Sequence, residues 1–173
     1  MLNIINTSTT AISTVRFINE ANNNLVTYCD IQGSSTTSAN PTTSGVVYIG
    51  STTGANGNDN NTISFNNIHA AGSSLPAIGI GAYNSTTAGN VSNNDNNTIN
   101  GNNIYDFFIA TANTTGIKVD AGNNNYSITN NHIYESASRA FTSAVSFRFL
   151  WLNPNSAGSN ITYASGHTVT GNY

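Results

Sequence analysis

One ten-residue pattern recurs along this chain and limits what the chain can fold into. Residues 60–69 read NNTISFNNIH, residues 96–105 NNTINGNNIY and residues 125–134 NYSITNNHIY. A weaker copy occupies 24–32 (NLVTYCDIQ), and 166–173 (GHTVTGNY) holds the start of another. In each full copy an aliphatic residue is followed five positions later by a second: Val26/Ile31, Ile63/Ile68, Ile99/Ile104 and Ile128/Ile133, with Val169 opening the last. The anchors advance by 37, 36, 29 and 41 residues. A constant motif at variable spacing describes one structural unit whose loops change length, as in a solenoid.

Each unit contains three strand-like pieces separated by Asn- and Gly-rich turns, with no stretch suited to a helix. The first surrounds the anchor, and the second begins at the aliphatic residue five positions on. The third is GVVYIG (45–50), AIGIG (77–81), GIKVD (116–120) and VSFRFLWL (145–152). Alternation places Ile117, Val119, Phe147 and Phe149 on one face, with Lys118 and Arg148 on the other. Two apolar patches, Leu2 to Ile5 and Val15 to Ile18, look like the remains of an earlier copy. Strands this short bury little as isolated hairpins. If each unit is one coil, the anchors form one internal column and Ile31, Ile68, Ile104 and Ile133 a second, each buried side chain contributing roughly 1.5–3 kcal/mol. The expected fold is all-β: a right-handed parallel β-helix with three short strands per coil and about four to five coils. Residues 1–173 form one domain, expected to be a fragment of a longer repeat protein or an uncapped unit that assembles through its open ends.

Three positions after each anchor stand Cys29, Asn66, Asn102, Asn131 and Asn172. At an interstrand spacing of roughly 4.8 Å, identical amides bond one another along the axis, so these residues are expected to form a ladder with Cys29 as a small buried substitute at its end.

Only 6% of residues are charged, while Asn, Thr, Ser and Gly abound, which fits a strand-and-turn protein once the Ile and Val positions keep register. Four basic residues (Arg16, Lys118, Arg139, Arg148) against seven acidic ones give a net charge of −3, which does not supply a nucleic-acid-binding patch. No membrane span is present, since no run of 18 apolar residues exists. The first residues do not read as a signal peptide. The lone Cys29 excludes an intrachain disulfide. Asn-X-Ser/Thr triplets at Asn6, Asn84, Asn90, Asn113 and Asn160 arise from composition alone.

The NNTISFNNIH, NNTINGNNIYDF and NNNYSITNNHIYESASRAFTS segments, each followed by a GIKV-like strand, resemble the pectate-lyase-like right-handed parallel β-helix superfamily. They are more similar still to the long Asn/Thr-rich surface proteins of bacteria that use type IX secretion. The resemblance implies an exported protein, extracellular or at the bacterial cell surface, and no particular reaction, because many functions share this scaffold.

Candidate chemistry is sparse. Asp59 and Asp95 both lie four positions before an anchor and could hold Ca²⁺ between coils, or simply occupy exposed turns. Asp106 and Glu135 also align, near the separation of a retaining glycosidase pair, but no third acid joins them where Gly33 and Ala70 stand. His69, His132 and His167 fall in different columns and make no metal cluster. Gln32, His69, Tyr105 and Tyr134 form an outward column that suits sugar binding, or else a stabilising aromatic stack. Phe107, Phe108 and Phe141 lie in loops, and they and the apolar pair Trp151 and Leu152 either fold onto the solenoid or mark an intermolecular contact. The expectation is a non-catalytic structural or adhesive module without cofactor, whose partners are further copies of itself or an extracellular glycan. The alternatives are a polysaccharide-binding or polysaccharide-degrading β-helix, a trimeric tailspike-like module, and ice binding through Thr62 and Thr98.

Overall fold

A computed structural model describes residues 1–10, 12–38, 45–52, 54–84, 92–153 and 166–173. Asn90 and Asn160 of the Asn-X-Ser/Thr triplets fall outside them. The chain winds into a parallel β-solenoid of about four turns built from three five-stranded sheets. Sheet A contains β1 (Leu2–Asn6), β4 (Cys29–Gly33), β7 (Asn67–Ala70), β11 (Asn103–Tyr105) and β15 (His132–Tyr134). Sheet B contains β2 (Val15–Phe17), β5 (Val47–Ile49), β8 (Ile78–Ala82), β12 (Thr114–Val119) and β16 (Phe147–Leu152). Sheet C contains β3 (Leu25–Thr27), β6 (Thr62–Ser64), β10 (Thr98–Asn100), β14 (Ser127–Thr129) and β17 (Thr168–Thr170). A small pair, β9 (Asn94–Asp95) with β13 (Asn123–Asn124), sits between sheets B and C. The early apolar patches are therefore β1 and β2, strands of sheets A and B in their own right.

The repeat is legible in the register. Val26, Ile63, Ile99, Ile128 and Val169 pair in one continuous column of sheet C. In sheet A, Ile4 joins Ile31, Ile68, Ile104 and Ile133. The inner members Ile31, Ile63, Ile68, Ile99, Ile104 and Ile128 are fully buried.

Two columns of left-handed backbone bracket each sheet C strand. Before it stand Asn23, Asn60, Asn96, Asn125 and Gly166, with φ between 55° and 71°. After it stand Tyr28, Phe65, Gly101, Asn130 and Gly171, with φ between 53° and 66°. This conformation favours Gly and Asn, which explains much of the composition.

In β16 the side-chain alternation differs from the sequence expectation. Ile117 and Val119 pair with Leu150 and Leu152, so those leucines continue the interior columns and Phe149 is half-exposed at 52%. The cause is a column of glycines. A Cβ on Gly116 would lie 2.5 Å from Ile133 Cγ2 and 2.6 Å from the Phe149 carbonyl, and Gly79 meets Ile104 and the Gly116 carbonyl in the same way. Phe149 occupies that column in β16, the edge strand of sheet B among the described residues. Phe147 does turn inward and stacks on Phe107, a loop residue that is fully buried in the core.

The Asn ladder is present. The Oδ1 of Asn66 accepts from the Cys29 N–H, that of Asn102 from the N–H and Nδ2 of Asn66, that of Asn131 from those of Asn102, and that of Asn172 from those of Asn131. Each Nδ2 also donates to the carbonyl of an anchor one coil earlier: Val26, Ile63, Ile99 and Ile128. Cys29 closes the row, its thiol donating to the Thr27 carbonyl. Asn102→Ala would leave the buried Asn66 N–H and one Asn66 Nδ2 hydrogen without their acceptor and take the additional donor from the Ile63 carbonyl, at roughly 1–3 kcal/mol per unpaired buried group, so it should lower unfolding free energy by about 2 kcal/mol or more in a urea titration. Cys29→Asn, which adds an amide at the end of the row, should leave the midpoint unchanged or raised.

Candidate functional site

Two further ladders occupy positions that no repeat of aliphatic residues announces. Two residues before the anchors, Asn24 donates to Asn61 and Asn61 to Asn97 through both N–H and Nδ2. Five before, Asn58 donates to Asn94 and Asn94 to Asn123. Buried Tyr126 joins the two rows, its hydroxyl accepting from Asn97 Nδ2 and donating to Asn123 Oδ1. In the next coil His167 takes the Asn position, its Nδ1 accepting the Tyr126 N–H at 3.1 Å while its buried Nε2 has no protein partner. The signal was the vertical alignment of Asn24, Asn61 and Asn97, which reads as low complexity until the coils are superposed.

The outward face of sheet A carries two columns. One is Asn3, Asp30, Asn67, Asn103 and His132, and the other is Ile5, Gln32, His69, Tyr105 and Tyr134. His69 stacks on Tyr105 with centroids 4.5 Å apart, and Tyr105 on Tyr134 at 5.2 Å, with planes within 17°. His132 extends the row sideways to Tyr134 and Tyr173. Asp30 anchors the start, accepting from Gln32 Nε2 at 2.7 Å and bonding His69 Nε2 at 2.8 Å. Rings in parallel register turn their faces to one another, so what they offer outward is edges: phenol hydroxyls beside the Asn67 and Asn103 amides. Burial, then the nearby charge of Asp30, raises the Tyr105 phenol above its usual value.

Asp59 and Asp95 stack on adjacent coils, and one oxygen of each is engaged in the turns. Asp59 Oδ1 accepts the Asp95 N–H at 2.7 Å, and Asp95 Oδ1 accepts from Asn124. Burial raises Asp95, the Asn124 bond lowers it and the Asp59 charge raises it further. Among the described residues no three His, Cys, Asp or Glu side chains gather as a metal set.

Asp106 and Glu135 are brought together by a residue the sequence did not single out. Arg139 donates through Nε to Glu135 (2.6 Å) and through Nη2 to Asp106 (2.8 Å). Ser136 adds bonds to Asp106 from both N–H and hydroxyl, and the Phe107 N–H donates to Glu135 Oε1. Burial alone would raise Asp106, yet the Ser136 and Arg139 bonds outweigh it and hold the carboxyl below its usual range. Burial raises Glu135 and is only partly offset by Arg139 and Phe107. The guanidinium bridges the two carboxyls, each of which it engages by a hydrogen bond.

On sheet B, Lys118 pairs with Asp120 at 3.2 Å in a buried setting, and Trp151 lies under both Lys118 and Arg148. The polar-face side of the FRFLWL run is thus partly explained by stacking within the chain. Among the sequons, Asn84 is buried, Asn6 accepts from the Ser8 N–H, and Asn113 accepts from the Ser146 N–H. Among the described residues no helix is long and apolar enough to cross a membrane. Family models, curated proteins and solved structures yield no match to this chain.

Burial lowers the His167 imidazole below its usual 6.5, because the folded chain favours the neutral ring that accepts the Tyr126 N–H. A depressed histidine contributes stability fully above the unfolded value, and that contribution is lost as pH falls through it toward the folded value. Melting temperature should therefore drop between about pH 7.5 and pH 5 more in the parent protein than in His167→Asn, whose amide accepts the same bond without titrating. Equal pH slopes for the two proteins would refute this assignment.

Proposed function

We propose that this chain is a non-catalytic structural and adhesive module of an exported, extracellular β-solenoid, with the outward face of sheet A as its contact surface for polysaccharide. The observation that carries this reading is the fate of the carboxylates. Each of the seven acids is bonded within the solenoid: Glu20 by the Asn56 N–H, Asp30 by His69 and Gln32, Asp59 by Asp95, Asp95 by Asn124, Asp106 and Glu135 by Arg139, and Asp120 by Lys118 and Asn153. Acids so engaged stabilise coils and are poorly placed to move protons for a substrate. What remains for recognition is the row of amides and phenol hydroxyls on sheet A, groups that pair with sugar hydroxyls.

The edge strands of the three sheets, with Leu2, Ile5 and Leu25 exposed at one end and Phe149 and Val169 at the other, offer a route for coils of another solenoid to add. On this reading, mass measured by light scattering rises with concentration, and a uniform monomer at all concentrations would remove end-to-end assembly from the proposal.

A second reading, polysaccharide cleavage, has the opposed shifts of Asp106 and Glu135 in its favour, since divergent carboxyls mark acid–base pairs. The Arg139 clamp weighs against it. No turnover of plant or bacterial polysaccharides is expected, and turnover abolished by Glu135→Gln would reverse the order of the two readings.

The adhesive reading is tested by the Tyr105→Phe/Tyr134→Phe double variant, which retains the ring stack and removes both hydroxyls. Glycan-array binding should fall about tenfold or more for two lost polar contacts while the melting temperature stays within a few degrees of the parent. Undiminished binding in the Tyr105→Ala/Tyr134→Ala variant would eliminate this face as the site.

A further inference from the structure

Beside the Arg139 clamp lies a cavity of about 280 Å³ lined by Phe108, Phe141, Phe147 and Phe149, with Glu135 and Arg139 in its wall. Its rings differ in one respect from those on sheet A. Phe108 and Phe141 are tilted by 44°, Phe108 and Phe147 by 43°, and Phe147 and Phe149 by 89°, at centroid distances of 5.0 to 6.3 Å. Among the described residues, only Phe147 of these four has a parallel ring neighbour, Phe107, at 5.2 Å and 13°. Rings set at such angles line a concave bowl rather than a closed stack, so part of their surface stays available to an occupant. Phe141 and Phe149 are 42% and 52% exposed, so the bowl opens to solvent.

Charge narrows the occupant. Arg139 is shared between two carboxylates, Asp106 and Glu135, so the cluster carries one net negative charge, and Glu135 itself faces the cavity. An anion would meet that charge with the guanidinium already committed to both acids. A strongly hydrated primary ammonium would lose its water to apolar walls. A methylated ammonium is large, weakly hydrated and attracted both by the ring quadrupoles and by the carboxylates. We propose that this bowl is a binding site for an alkylated ammonium group, of the kind carried by choline or an N-methylated amine. The cavity volume is near the lower end of small-molecule sites, about 300 Å³, and suits a single such head group.

The site is independent of the sheet A face and of any reading of its ligand. Its test is titration calorimetry of the whole chain with choline and with tetramethylammonium, set against 3,3-dimethylbutan-1-ol, in which carbon replaces the charged nitrogen of choline at almost the same shape. Saturable binding of both cations is expected, with choline tighter than the neutral alcohol by about tenfold. Phe141→Ala and Phe149→Ala remove exposed rings, should melt close to the parent, and should each weaken choline binding by roughly fivefold or more. Glu135→Gln should weaken it as well. Equal affinity for the neutral alcohol, absence of saturable binding by either cation, or unchanged choline affinity in both well-folded phenylalanine variants would overturn the proposal.

Discussion

A solenoid corner poses a hydrogen-bonding problem that its sheets do not solve. Where the chain leaves one strand and turns toward the next, its N–H and C=O groups point along the axis without a strand partner, and buried backbone groups left unpaired are costly. Asn answers this at every coil, because one carboxamide accepts two donors from the coil before it and returns its own hydrogens to an anchor carbonyl and to the next amide. Asn102 does all of this at once. The rows through Asn97 and Asn102 stand on either side of sheet C, five residues apart within one coil, and they hold its three-residue strand between two rigid corners. Loop length is therefore free to vary elsewhere in the coil, and the irregular advance of the anchors follows.

The same corners demand left-handed backbone, and the chain meets that demand unequally. Asn and Gly fill most of the two columns, but Tyr28 and Phe65 also adopt φ of 53° and 54°. A bulky residue there costs about 1–2 kcal/mol. The compensation is visible in the packing: Phe65 stacks on Tyr28 at 5.4 Å and covers Gly101, whose missing Cβ makes room for the ring. Three neighbouring positions of one column thus solve a backbone constraint jointly, with the glycine of one coil accommodating the aromatic of another.

How much of this could be read beforehand depends on whether a residue obeys the coil period. The Ile columns and the row of Asn66, Asn102 and Asn131 do, and both were legible from spacing alone. The Asn61 and Asn58 rows obey it too, yet they lie in Asn-dense turns where chance alignment looks the same as design. Strict two-residue alternation puts Phe149 on the Ile117 and Val119 face, whereas the register gives those columns to Leu150 and Leu152, because Gly79 and Gly116 disturb the pleat. Arg139 was invisible for a different reason. It sits in a loop without period, and only the folded path of residues 135–146 brings it between two acids whose own alignment was readable. The site's framework was therefore written in the repeat, while its decisive group was not.

Aromatic rings make the same distinction at the level of function. On sheet A, identical register forces Tyr105 and Tyr134 into a parallel stack, so periodicity itself consumes the π faces and leaves only polar edges for a ligand. The phenylalanines near Arg139 come from two loops and an edge strand, and no common register sets their angles, so they meet obliquely around a cavity. A repeat that is good at making a rod is for that reason poor at making a pocket, because stacking like on like closes the surfaces a pocket needs. Concave chemistry can arise only where consecutive coils differ, and the loops that carry Phe108, Arg139 and Phe141, on either side of the regular copy at 125–134, are where this chain departs from its own pattern.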